Sequence, residues 1–204
     1  MKVMIAQTLD YTVRYGDLGK GAVRPPSEYS YLAALVDWLV DRLRPKTTVA
    51  TLVFNYDIAF EVAIDFTHAR FDYNLTGNPE LGGDGFPLLK LHGSSNWWEC
   101  SSCGGIGVFS LSSPKLRSRA VNDGTIITPY ANRKDVGLTC KKCAATFVPS
   151  GPPFIVPPTW NKTAASNVIQ NVWRSAAHHL REARHIVVVG YSFPPTDEYF
   201  KLLL

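Results

Sequence analysis

The sequence predicts an α/β protein: a Rossmann-like, mostly parallel sheet with an inserted small zinc-ribbon module. Three observations carry that expectation. Apolar, β-branched runs alternate with helix-periodic runs, the order that builds a parallel sheet with helices on both faces. Three of those apolar runs, "TTVATLVF", "PLLKL" and "HIVVVG", each finish in a small polar cluster. All four cysteines fall in two Cys-x-x-Cys pairs, inside a stretch whose glycine, serine and aromatic content sets it apart.

A chain of 204 residues is long enough for one α/β domain with a real core and one small insertion. Its 46% hydrophobic and 19% charged residues exclude wholesale disorder. The formal charge of +4 is too mild to mark nucleic acid as a partner. The opening "MKVMIAQTLD" is too short an apolar run for a signal peptide, and Asp37 interrupts the apolar "YLAALVDWLV". A soluble, cytoplasmic protein without a membrane span is expected.

The elements follow in order. Residues 28–44, "EYSYLAALVDWLVDRLR", place Leu32, Leu35, Val36, Leu39, Val40 and Leu43 on one helical face, with Ser27 as N-cap and Pro45 as the stop. "TTVATLVF" reads as a buried strand ending at Asn55, and "DIAFEVAIDF" as a helix. After the turn-rich "TGNPELGGDG", the strand "PLLKL" runs into His92-Gly93. "FIVPPTWNK" is a short strand broken by prolines, and "AASNVIQNVWRSAAHHLREA" is a helix facing Val168, Val172, Ala176 and Leu180 inward. "HIVVVG", the most hydrophobic strand, ends at Gly190-Tyr191-Ser192, and a last helix starts near Thr196-Asp197.

Cys100, Cys103, Cys140 and Cys143 offer four thiolates to one tetrahedral Zn²⁺, a closed structural geometry with no open position for catalysis. The alternative is four buried or redox-active thiols without metal. The 36 residues between the pairs exceed the usual ribbon spacing, so "SLSSPKLRSRAVNDGT" reads as an inserted loop. Trp97 and Trp98 are expected to pack against this module. Residues 97–147 form the zinc-binding module in this division, and residues 1–96 with 148–204 form the Rossmann-like domain.

Ligands of an open parallel sheet bind beyond the carboxyl ends of its strands. The clusters Asn55-Tyr56-Asp57, His92-Gly93-Ser94 and Gly190-Tyr191-Ser192 stand at three such ends. Any one of them alone reads as a helix cap or turn; together they read as a site. An imidazole with an ordinary pKa of about 6.5 suits His92 to act as a base near neutral pH. Gly93 beside it leaves room for a ligand to come close to the backbone. His68, His178, His179 and His185 have no comparable setting.

"TLVFNYD", "LLKLHGSSNW", the two Cys-x-x-Cys pairs and "IVVVGYSFPPTD" occur in the order seen in the sirtuins. Over roughly residues 48–200 the chain most resembles the divergent sirtuin-like domains of bacteria, whose members include NAD⁺-hydrolysing defence proteins. The resemblance implies that Asn55 and Asp57 match the Asn-x-Asp motif holding the nicotinamide-ribose region, and that His92 is the catalytic histidine. It also implies that Gly190, Tyr191 and Ser192 stand for the Gly-Thr-Ser motif that contacts the dinucleotide, with Tyr191 replacing threonine. The implied activity is cleavage of the nicotinamide–ribose bond of NAD⁺ by a glycohydrolase, with antiviral defence as a setting. The alternatives are an NAD-dependent protein deacylase acting on an acylated protein and a non-catalytic NAD or nucleotide sensor. A third reading has the zinc ribbon bind nucleic acid through Lys115, Arg117, Arg119, Lys141 and Lys142.

The family's glycine-rich phosphate turn after its first strand is missing. "YGDLGKGAVRPP" has glycines but no hydrophobic strand ahead of it. With "YFKLLL" reading as an uncapped helix, the sirtuin-type domain is expected to be either a fragment incomplete at both ends or a degenerate member.

Overall fold

The computed structural model describes residues 1–19, 22–43, 48–75, 85–110, 118–121, 124–127, 129–135, 137–157, 167–195 and 198–201. The expectations for Pro45, for most of "TGNPELGGDG", for residues 158–162, for Lys115 and Arg117, and for Thr196-Asp197 lie outside the described residues.

The chain is a mixed α/β structure built around a small parallel sheet. β3 (Thr51–Val53), β5 (Phe86–Lys90) and β4 (Phe71–Asp72) form it in the order β3-β5-β4, both pairings parallel. Every residue of the central β5 is buried, the burial a parallel strand acquires when elements cover both faces. Helix α3 (Ala59–Ile64) follows β3 and is buried along its whole length. Helix α5 (Asn167–Glu182) turns Val168, Ile169, Val172 and Ala176 into the same core, on the face that its sequence periodicity predicts.

Helix α2 (Ser27–Leu43) packs on this core through Leu32, Val36 and Val40, while Leu35 and Leu43, expected on the same face, are exposed. Its start also differs from expectation. The Pro26 carbonyl accepts the Ser30 N–H at 3.1 Å, so the helix opens one residue early, and the Ser27 hydroxyl turns to Glu28 instead of capping. Helix α1 (Lys2–Thr12) and the hairpin of β1 (Gly16–Gly19) and β2 (Ala22–Arg24) precede it.

The cysteine-bearing stretch is antiparallel. β6 (Trp97–Glu99) pairs with β7 (Ile106–Val108), and β10 (Leu138–Thr139) with β11 (Thr146–Phe147). A Gly107–Cys140 bridge joins the two hairpins. Alternation along β6 sends the two tryptophans to different clusters: Trp97 joins the main core, whereas Trp98 packs with Phe109 and Leu138 in the cysteine module. Between the two hairpins, β8 (Ser118–Val121) and β9 (Gly124–Ile127) form a third, followed by the short helix α4 (Pro129–Asn132). This hairpin docks outside the module, where Tyr15 and Thr125 exchange backbone hydrogen bonds of 2.8 Å.

The strand expected at "HIVVVG" is not formed. Ile186 to Val189 are 48% to 77% exposed, and no described strand pairs with them. A β-branched run states a preference; a strand exists only where a neighbour offers backbone partners. The last described helix is α6 (Glu198–Lys201). Among the described residues, no helix is long and apolar enough to cross a membrane.

Gly93 serves a different purpose from the one its sequence context suggests. Its φ is +79°, and a Cβ there would meet the Phe154 carbonyl oxygen at 2.2 Å. The backbone that approaches it is the protein's own: Gly93 bridges Ile155, and the Val156 N–H donates to the His92 carbonyl at 2.8 Å. Gly151, with φ +73°, has nothing within 4 Å of the same position. Gly93→Ala is expected to cost more than about 3 kcal/mol, against roughly 1 kcal/mol for Gly151→Ala, read from urea unfolding of both variants.

Candidate strand-end site and metal centre

Parallel pairing of β3 with β5 sets the geometry of the site. Val53 lies opposite Lys90, and the Leu91 N–H donates to the Val53 carbonyl at 3.0 Å. Asn55 and His92 therefore leave the carboxyl ends of adjacent strands at the same level. The two turns are tied to each other, since the Ser95 N–H donates to the Tyr56 carbonyl at 2.8 Å.

Phe54 brings in the third cluster. Its ring stacks on Tyr191 with centroids 4.0 Å apart and meets His92 edge-on at 5.5 Å. Tyr56 and Trp173 complete the aromatic surround of His92 at 6.0 and 6.4 Å, and Trp173 donates its indole N–H to the Leu91 carbonyl at 2.9 Å. His92 is 6% exposed. Phe54 and Trp173 are not singled out by the sequence; Phe54 stands directly before the Asn55 tip, whereas Trp173 lies within α5 and no neighbouring motif points to it.

The other nominated residues have local partners. Asn55 is exposed and donates from Nδ2 to the Tyr29 hydroxyl at 3.0 Å. Burial, then the nearby Asp57 carboxylate, push the Tyr29 phenol above its usual pKa. Asp57 accepts the Ala59 N–H on Oδ1 at 2.9 Å, an Asx-type turn leading into α3. It lines a cavity of about 10 Å³ with Asp10, Tyr15 and Ser95, and His92 is not in that lining. Gly190 adopts φ +63° with open space around it, Ser192 is exposed, and Tyr191 is half-buried against Phe54.

Beneath the tips lies a buried polar chain. Lys90 and Glu61 are both fully buried and pair at 2.9 Å, while the Lys90 ammonium also donates to the Asp57 carbonyl. Tyr73 donates to Glu61 Oε1 at 3.1 Å, and Asn96 donates from Nδ2 to Tyr73 at 3.3 Å and to the Phe109 carbonyl at 3.2 Å. Burial, then the Glu61 carboxylate, hold the Tyr73 phenol well above its ordinary pKa. A lysine inside "PLLKL" and a glutamate inside "DIAFEVAIDF" are charges within apolar periodicity, and that pattern is the legible trace of this pair.

The four cysteines converge. Their sulfur atoms all lie within 4.8 Å of one another, with Cys103–Cys140 at 3.5 Å and Cys100–Cys143 at 3.9 Å. A tetrahedral ion with metal–sulfur bonds of about 2.3 Å spaces its sulfurs about 3.8 Å apart, so the cluster can hold a metal ion such as zinc. The two knuckles are built alike. Gly104 donates its N–H to the Cys100 carbonyl at 2.9 Å, and Ala144 donates to the Cys140 carbonyl at 3.0 Å; both take left-handed φ, +66° and +58°. Backbone N–H groups of Gly105 and Lys142 point at Cys103 and Cys140 Sγ, each at 3.4 Å. The Ser102 N–H leads in lowering the Cys100 thiol. Burial raises the Cys140 thiol, but the N–H groups of Cys143 and Lys142 together with the neighbouring Cys103 and Cys143 thiols bring it down to about 7. At Cys103 the Gly105 N–H lowers the thiol, yet the neighbouring thiols, led by Cys143, and burial push it up to about 12. Beside the cluster, Cys103, Glu99, Lys141, Lys142 and Asn171 line a cavity of about 460 Å³. Of the basic residues considered for nucleic acid, Lys141 and Lys142 are exposed beside the acidic Glu99 in that lining.

Compared with known proteins, the chain matches no family model, no curated sequence and no solved structure.

Four thiolates in one knot give a quantitative expectation. The purified protein should carry one zinc ion per chain by elemental analysis and lose it to a strong chelator with a lower Tm. Cys140→Ser should abolish stoichiometric binding. Because the bound form needs deprotonated sulfur, metal affinity should fall as pH is lowered.

Proposed function

We propose that the chain is a sirtuin-like NAD⁺-consuming domain, acting as an NAD⁺ glycohydrolase. The observation that carries this reading is the meeting of two strand-end clusters and the Gly190–Ser192 segment around Phe54, with His92 on its edge and Tyr191 on its face. In this reading the β3-β5-β4 sheet is the core of a Rossmann-like fold and the cysteine cluster holds structural zinc. The protein works in the cytoplasm, with antiviral defence as its setting.

The proposed chemistry asks little of the protein beyond placement. Breaking the nicotinamide–ribose bond sends the bonding electrons to the nicotinamide nitrogen and leaves positive charge on the sugar. Water adds to the sugar carbon and gives up a proton, which His92 accepts. Phe54, Tyr56 and Trp173 surround the His92 ring and limit the water around the imidazole that takes up the proton. Asn55 and the segment from Gly190 to Ser192 supply the polar contacts that hold the nucleotide.

A second reading, a non-catalytic NAD or nucleotide sensor, is favoured by the local engagement of Asn55 with Tyr29 and of Asp57 with the start of α3. Nicotinamide release separates the readings. The glycohydrolase releases nicotinamide from NAD⁺ without any peptide, and His92→Ala lowers that rate by about 100-fold or more. Release that requires an acetylated peptide identifies a deacylase. Calorimetric binding of NAD⁺ with no release identifies a sensor, and absence of both binding and release defeats the NAD reading.

A further inference from the structure

Lys90 and Glu61 have no part in the proposed chemistry, yet they are the costliest pair of side chains in the interior. Both are fully buried, and removing an ammonium and a carboxylate from water is repaid only by close mutual pairing and further hydrogen bonds. Apolar residues of similar volume would serve the fold at least as well. What the pair adds is placement. From one point it holds three elements: Lys90 ends β5, Glu61 lies in α3, and the Lys90 ammonium reaches the Asp57 carbonyl in the turn after β3. That turn delivers Phe54 and Tyr56 to the His92 ring at 5.5 and 6.0 Å. Through Tyr73 and Asn96 the same pair is linked to the Phe109 carbonyl beside the cysteine module.

We infer that Lys90 and Glu61 are positioning residues of the strand-end site, holding the 54–57 turn in register with His92 rather than supplying fold stability. The inference deepens the proposed NAD⁺ reading and rests on it for its catalytic consequence. Its structural consequence stands separately: without the pair, the turn loses its tie from the Asp57 carbonyl to β5 and the surround of His92 changes.

The test uses the double variant Lys90→Met/Glu61→Leu, which removes both charges and leaves neither unpaired. Val172→Ala, which opens the apolar core at α5, serves as a control for loss of stability alone. The first readout is the His92 imidazole resonance by NMR, which needs no activity. It should shift in the double variant and stay in place in Val172→Ala. The second is nicotinamide release from NAD⁺, where kcat should fall about 10-fold or more with KM little changed. If the double variant does not fold, Glu61→Gln keeps the side-chain shape while removing the charge opposite Lys90, and the same shift is expected of it. An unmoved His92 resonance in a folded variant overturns the inference. A moved resonance in a protein whose parent releases no nicotinamide upholds the positioning role and defeats the hydrolase reading.

Discussion

The parallel pairing of β3 with β5 is the constraint on which the rest of the molecule depends. Three residue pairs, Thr51–Leu88, Leu52–Leu89 and Val53–Lys90, fix the level at which both strands end. A slip of one residue would exchange the faces of every side chain, sending Lys90 away from Glu61 and His92 away from Phe54. The burial of β5 makes such a slip prohibitive, because Leu88 and Leu89 are fully enclosed by elements on both faces. Local chemistry at the tips is thus inherited from apolar packing beneath them.

The cysteine module shows a second kind of constraint, in which backbone geometry prepares a site before any ligand arrives. Each knuckle folds back on its first cysteine and then presents N–H groups to sulfur, and at Cys140 these help to favour the thiolate. Gly105 sits so close to Cys103 and Cys140 that a side chain there would meet sulfur at 2.9 Å. The second knuckle accomplishes the same turn with Ala144 at positive φ, a conformation that is strained for any residue bearing a Cβ.

Legibility in the sequence follows the range of the interaction concerned. The strand-like character of "PLLKL", the helix over Asn167–Glu182 and the convergence of the four cysteines were all readable, because periodicity and Cys-x-x-Cys spacing are local signals. The turn after β3 is readable as a polar tip, but not the local turn bond of Asp57, since a carboxylate at a strand end looks the same whether it holds a ligand or the Ala59 N–H. Gly93 was read as space for a ligand, because sequence gives no sign that Phe154 arrives there from 61 positions away. "HIVVVG" was read as the best strand in the chain on intrinsic preference alone, whereas pairing is a property of neighbours.

The placement of the hairpin β8–β9 has a topological consequence. It lies inside the 36-residue span between the two cysteine pairs, yet it docks on Tyr15 near the amino terminus. Closing a loop of that length costs an unfolded chain about 3–4 kcal/mol of entropy, which a clasp at the cysteines defrays in advance. The same clasp limits how far the hairpin can wander before it finds Tyr15. A metal bound at the cysteines would therefore also shorten the loop from which the hairpin reaches Tyr15.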